Sequence, residues 1–174
     1  MMRLSRLGFL VVIGVGLLGS PERVTPAPPP TGPQEATVVG LLLDEQTQQP
    51  TIVLQGKRDR RAFAMAIGHA EAAGIAFPLQ KLTPPRPLTH DLFLTVFGRL
   101  HVTVTKAVIT DLRDNTFYAA LYLSANGTTL ELDSRPSDAI ALAIRANAPI
   151  LVEDRVFDRA EQIPGAQSGS GPRI

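Results

Sequence analysis

The 174-residue sequence carries 17 Lys+Arg against 16 Asp+Glu, a formal net charge of +1, 44% hydrophobic residues and no cysteine. That length suits one ordinary domain with flanking segments, and the apolar content is enough to fill a core. Zero cysteine excludes a disulfide framework, a zinc ribbon, a thiol nucleophile and a thiolate iron–sulfur site. The balanced charge excludes the Lys/Arg excess of a polyanion-coating protein.

Along the chain, Arg3 and Arg6 precede an uncharged run from Leu7 to Leu18. That run is short for a bilayer span and right for the apolar core of an export signal. Residues 1–20 are therefore expected to be a signal peptide or a retained N-terminal anchor. The chain would then be exported, to periplasm, cell envelope or outside, and would touch a membrane only through this segment if it stays uncleaved. Residues 21–35 hold six prolines and favour an extended, semi-rigid linker. The tail 163–174 is Gly/Ser-rich and expected to be disordered. The folded unit, 36–162, holds 13 Lys+Arg and 14 Asp+Glu.

Within it, Thr37–Leu43 reads as a buried strand and Thr51–Gln55 as its hairpin return. Lys57–Ala73 has helical spacing, with Phe63, Ala66, Ile67, Ala70 and Ala73 on one face and Gly74 as its stop. Pro78 to Pro87 reads as a loop. Thr89 is expected to cap a second helix with Asp91 in its first turn and Leu92, Phe93, Val96, Phe97 and Leu100 as its apolar face. His101–Leu112 alternates as a strand with Val102, Val104 and Val108 on one side. Asp114-Asn115 is a turn. Phe117–Leu123 places Phe117, Ala119, Leu121 and Leu123 on one face and Tyr118 and Tyr122 on the other. Asn126-Gly127 marks a hairpin. Thr129–Asp133 returns with Glu131 and Asp133 outward. Pro136 starts a helix that Ser134 or Ser137 can cap, running through Ala139–Ala146. Ile150–Val152 is a strand and Val156–Gln162 a terminal helix. The order ββααβββαβα predicts an α+β fold with helices on a mixed sheet.

Polar residues concentrate at three element ends: Arg86–Asp91, Asp133–Asp138 and the basic run Lys57–Arg61. Helix N-termini there would suit phosphate, and a carboxylate beside them could hold a divalent ion. Ordinary readings stand beside these. Asp91 and Asp138 are also normal helix-start partners, Arg135 can pair with a neighbouring carboxylate, and the basic run can be a solvated face. His90 is either an acid/base group or a hydrogen-bonded structural residue. Tyr118 and Tyr122 either stack on bases or pack across strands. No P-loop, nucleophile elbow, zincin motif or dinucleotide fingerprint is present.

Taken together, Arg86–Leu92 (RPLTHDL), Thr116–Leu121 (TFYAAL) and Leu132–Leu142 (LDSRPSDAIAL) stand in an order and spacing that resemble the bifunctional nuclease family. That resemblance spans about residues 36–160. It implies a small α+β domain that degrades DNA and RNA and forms homo-oligomers. The family pattern of an apolar strand, Ile-Gly, two residues and Glu-Ala is matched to Leu54–Arg60, which puts Asp59 at the Glu position. On this basis we expect a nuclease acting on DNA or RNA, assisted by Mg or Mn. Asp133, Asp138, His90 and Asp91 are its expected catalytic residues, and Asp133, Asp138 and Asp59 its metal ligands. Arg86, Arg135, Lys57 and Arg58 are expected to hold substrate, with His90 as proton donor. The alternative is a non-catalytic binding or scaffold module of the cell envelope on the same fold.

Overall fold

The computed structural model describes residues 32–163. The stretch expected to be an export signal (1–20), the expected linker up to residue 31 and the tail from residue 164 lie outside the described residues. Among the described residues no helix is long and apolar enough to cross a membrane.

Among the described residues seven strands and four helices follow one another as β1 (Gln34–Leu43), β2 (Pro50–Gly56), β3 (Ala62–Ala66), α1 (His69–Leu79), α2 (Thr89–Arg99), β4 (Val102–Arg113), β5 (Thr116–Ala125), β6 (Thr128–Ser134), α3 (Pro136–Ala146), β7 (Ile150–Val152) and α4 (Asp154–Arg159). All strands form one sheet in the order β3-β2-β1-β7-β4-β5-β6. Only β4 and β7 run parallel, so the sheet is mixed, and the α+β expectation holds. β1 begins two residues inside the stretch read as linker.

The turn chemistry that predicts two of the hairpins is realised. Asp114 and Asn115 have φ of 48° and 57°, and Asn126 and Gly127 have 50° and 78°. Both are two-residue turns whose central residues must have positive φ to match the strand twist. Phe117, Ala119, Leu121 and Leu123 do share the helix-covered face. Val104 and Val108 do not share a face, because β4 is bulged between Val104 and Lys106 and again between Ile109 and Asp111. Each extra residue reverses the inward–outward phase, so Val104, Ala107 and Ile109 enter the main core.

The helix expected over Lys57–Ala73 is two elements. Residues 57–61 form the β2–β3 turn, with Arg60 at φ 63°, β3 follows, and helix α1 starts only at His69. The apolar spacing there fits both periods: Phe63, Met65 and Ile67 alternate, and all three are buried. Phe63 stacks on Phe117 and meets Phe157 edge-on at 5.3 Å. The helix also runs through Gly74 and Pro78 to Leu79, so Gly74 is no stop and Pro78 opens no loop.

Helix α3 is the central one. Seven of its residues are buried, among them Ala139, Ala141 and Ala143, and such small side chains let it lie close to the sheet and to α1. Pro136 is at its first turn, where the missing N–H costs nothing. Its N-cap is Arg135 with no side-chain cap, so neither Ser134 nor Ser137 serves; Ser134 instead donates to the Arg135 carbonyl at 3.0 Å.

Candidate functional site

A cavity of about 710 Å³ opens between α1, α2, the start of α3 and strands β5 and β6. Its walls are mostly apolar. Its polar groups are Glu71 from α1, Thr89 and His90 from α2, and Ser134, Arg135 and Asp138 from the β6–α3 junction. Arg135 lies between two carboxylates. Its Nη1 is 2.8 Å from Glu71 Oε1, and its Nε and Nη2 donate to Asp138 at 2.7 and 3.1 Å. Three of the five guanidinium N–H groups are thereby used and two remain. The Asp138 and Glu71 bonds hold the guanidinium more firmly protonated than usual. On the other side of Asp138, His90 Nε2 stands 3.4 Å from Oδ1, with the imidazole largely buried.

His90 is placed by backbone as well as by Asp138. Its ring rests on Gly74, where a Cβ would lie 2.7 Å from Cε1 and 3.0 Å from Nδ1. Asp91, the next residue, faces away from the cavity. It accepts from the Leu88 N–H at 2.8 Å, the half of a capping box that a third-position acid supplies; the N-cap is thus Leu88, not Thr89. Its other oxygen accepts from Arg145 Nε at 2.8 Å. Burial pushes the Asp91 carboxyl up, but Arg145 and the Leu88 N–H outweigh it and hold it below the usual range. Asp91 is thus an anchor for α2.

Arg145 also donates to the Gly74 and Ala141 carbonyls. The Gly74 carbonyl would normally bond the N–H four residues on, but that residue is Pro78, which has none. Pro78 therefore frees the acceptor that Arg145 takes, and one guanidinium ties α1, α2 and α3 together under the site.

The other expected site residues separate. Asp133 borders the cavity, but it pairs across β5 with Ala120 while Leu132 pairs with Leu121. Leu121 belongs to the helix-covered core and Ala120 does not, so strand alternation turns the Asp133 carboxylate to the opposite sheet face. Lys57, Arg58 and Asp59 occupy the β2–β3 turn, not a helix start. Lys57 pairs with Glu35, and Arg58 with Asp154. Asp59 accepts from Gln34 Nε2 at 2.9 Å and from Arg61 Nε at 2.8 Å. Burial raises the Asp59 carboxyl, and the Arg61 and Gln34 bonds lower it by more. This network ties the turn to β1 and α4. Arg86 is exposed in the α1–α2 loop, outside the cavity lining.

Asp59, Asp133 and Asp138 are therefore not brought together. Among the described residues no three His, Asp or Glu side chains are grouped to hold a metal ion. The donor set that is present, His90 and Asp138 with Glu71, is bridged by the Arg135 guanidinium, so it does not fit a divalent ion as it stands.

The residue that sequence reasoning missed is Glu71. The signal was present: Ile67-Gly68-His69-Ala70-Glu71-Ala72 is Ile-Gly, two residues, Glu-Ala, directly after a strand. Matching that pattern to Leu54–Arg60 followed from reading β3 as helix. With α1 placed correctly, the chain keeps the Glu, in the first turn of α1, and Asp59 is no substitute for it.

The fold is that of a small α+β domain with paired acids and an arginine at a cleft between helix starts. The bifunctional nuclease domain matches residues 52–164, and the chain belongs to that family. It is 38% identical over 126 residues to the uncharacterized protein Rv1829 of Mycobacterium tuberculosis, covering 72% of this chain and 75% of that one. It is 33% identical over 81 residues to bifunctional nuclease 1 of Oryza sativa subsp. japonica and to the bifunctional nuclease of Oryza minuta, covering 45% of this chain and 24% of each plant protein.

Proposed function

We propose that this cavity hydrolyses phosphodiester bonds of DNA or RNA. The convergence of His90, Asp138, Arg135 and Glu71, from three helix starts, on one cavity mouth carries the reading, and family membership supports it. The two unused N–H groups of Arg135 hold a phosphoryl oxygen, and Glu71 and Asp138 fix the guanidinium plane. His90, oriented by Asp138 and by the Gly74 backbone, gives its proton to the leaving oxygen as water forms the new P–O bond. Before that transfer Asp138 balances the charge of the protonated imidazole; after it the imidazole is neutral, the old P–O bond is broken, and the proton shed by the attacking water leaves to solvent.

The test is cleavage of single- and double-stranded DNA and RNA with Mg²⁺, Mn²⁺ or EDTA. His90→Gln is expected to lower the rate by about 10²–10⁴-fold, and Asp138→Ala comparably. Equal cleavage by wild type and Asp138→Ala rejects the site; no cleavage under any condition rejects the function. The EDTA arm tests the divalent ion as a separate proposal. A non-catalytic binding module is the second reading, favoured by the full engagement of Glu71 and Asp138 with Arg135; ligand binding with no cleavage selects it.

We also propose that a second copy covers α2. No α2 residue is fully buried, and Leu92, Val96 and Leu100 are 60%, 44% and 63% exposed along one stripe. An uncharged apolar stripe of this kind favours association, and the homo-oligomers expected from the family resemblance point the same way. Val96→Glu is expected to halve the sedimentation mass without changing the far-UV spectrum; an unchanged mass would place the contact elsewhere.

A further inference from the structure

We propose that the cavity holds a nucleobase of an unpaired strand, stacked on Phe93, while Arg135 holds the adjoining phosphate. The proposal rests on the phosphodiesterase reading and adds the substrate class. It starts from a division on α2. Its outermost stripe is Leu92, Val96 and Leu100, but His90, Phe93 and Phe97 lie on the neighbouring stripe and line the cavity. Phe93 and Phe97 have ring centroids 6.0 Å apart. Phe93 is 49% exposed and lines the cavity, so much of its side chain is open to a ligand. The lining also includes Leu132 of β6.

A cavity of about 710 Å³ lies within the range that takes a nucleotide-sized ligand, and an apolar cleft with a few convergent polar groups is the usual form of such a site. Its polar groups are concentrated at the Arg135 end, and Arg135 is the single permanent cation there. That suits a ligand with one flat apolar part and one anionic part joined to it by a short spacer. A nucleotide has this form; a duplex does not offer it, because a paired base is stacked within the helix and must be flipped out at a cost. Stacking on an aromatic face is also tolerant of base identity, since every base has a π-face. This accommodates both DNA and RNA. Arg86 is exposed in the loop that leads to Leu88 at the cavity wall.

The test compares binding of the full chain to three phosphorothioate-linked oligonucleotides by fluorescence anisotropy: a single-stranded octamer, the same octamer with abasic central positions, and a blunt duplex. The octamer is expected to bind about tenfold more tightly than its abasic form, with the duplex no better than the abasic strand. Phe93→Ala is expected to bring the base-to-abasic ratio to about one and leave the abasic affinity unchanged. Phe93 is half exposed, so this variant keeps the fold, checked by thermal melting. Equal binding of octamer and abasic strand by the wild type overturns the subsite, and so does a ratio that survives Phe93→Ala. Base-dependent binding with no cleavage of ordinary nucleic acid supports the subsite and removes the nuclease reading. Equal cleavage of intact and abasic strands does the reverse.

Discussion

Arg145→Met is expected to lower the unfolding free energy by roughly 3 kcal/mol, the low end for breaking a buried ion pair by removing one partner. The Arg145 side chain is only 8% exposed, and three acceptors depend on it: Asp91, the Gly74 carbonyl and the Ala141 carbonyl. Asp91 can regain some water and Ala141 keeps its helical place, which sets the loss at that end. The Gly74 carbonyl loses a donor that Pro78 cannot replace. The loss should also be local. Helix α2 has no fully buried residue and meets the core through half-buried Leu94 and Phe97, so the Asp91–Arg145 pair is an important tie for it. Amide exchange over Thr89–Arg99 should speed up in the variant while β4 and β5 keep their protection. Uniform acceleration across the sheet would mean that Arg145 supports the whole core instead.

The same pair sets a pH dependence with a definite sign. The Asp91 carboxyl is held below its usual range by Arg145 and the Leu88 N–H against the opposing effect of burial. A depressed carboxyl contributes stability above its unfolded value, about 3.9. That stability is lost as pH falls through the lower folded value. The stability gap between wild type and Arg145→Met should therefore be constant above about pH 5 and narrow below pH 4. It should not close, since the bond from Arg145 to the Gly74 carbonyl does not titrate. A gap of equal size at pH 7 and pH 2.5 would show that Asp91 contributes nothing to it.

What could be read from the sequence follows the range of each signal. Turns at Asp114-Asn115 and Asn126-Gly127 are set by the φ their own residues tolerate, so they were legible. So was the alternation of β5, which carries no bulge. Residues 62–67 were not, because a short apolar run fits a 2.0 and a 3.6 period alike; only pairing with β2 decides, and that single error hid Glu71. The phase of β4 depends on two bulges that leave no local mark. The apolar stripe on α2 was legible, but a stripe does not say whose core it meets: Leu92, Val96 and Leu100 face outward from this one. The polar motifs marked the right cavity. They could not show that Asp91 turns beneath it to Arg145 while its neighbour His90 enters it. Nor could they show that Asp133, close to Asp138 in sequence, is on the other side of the sheet.

Gly74→Ala is expected to separate the site from the fold more sharply than any substitution in the site. On helix propensity alone, alanine in a helix interior is favoured over glycine by about 1 kcal/mol. Here its Cβ would meet His90 Cε1 at 2.7 Å. The imidazole is short and enclosed, so relief requires the whole ring to leave its place beside Asp138. The variant should therefore be destabilised by roughly 1–2 kcal/mol, as small-to-large changes at packed contacts are. Its cleavage rate should fall about as far as that of His90→Gln, and its base-dependent binding at Phe93 should survive. In a His90→Ala background nothing opposes the new methyl group, and Gly74→Ala should become stabilising by about 1 kcal/mol. The double-mutant cycle thus predicts a coupling of roughly 2–3 kcal/mol between residues 74 and 90. The His90 ring-proton resonances, followed against pH in wild type and Gly74→Ala, check the displacement directly. Additive stabilities with unchanged His90 resonances would mean that the ring has room to move and that Gly74 does not position it. Loss of cleavage with the cycle as predicted would assign Gly74 as the positioning residue for the proton donor, acting through the absence of a side chain.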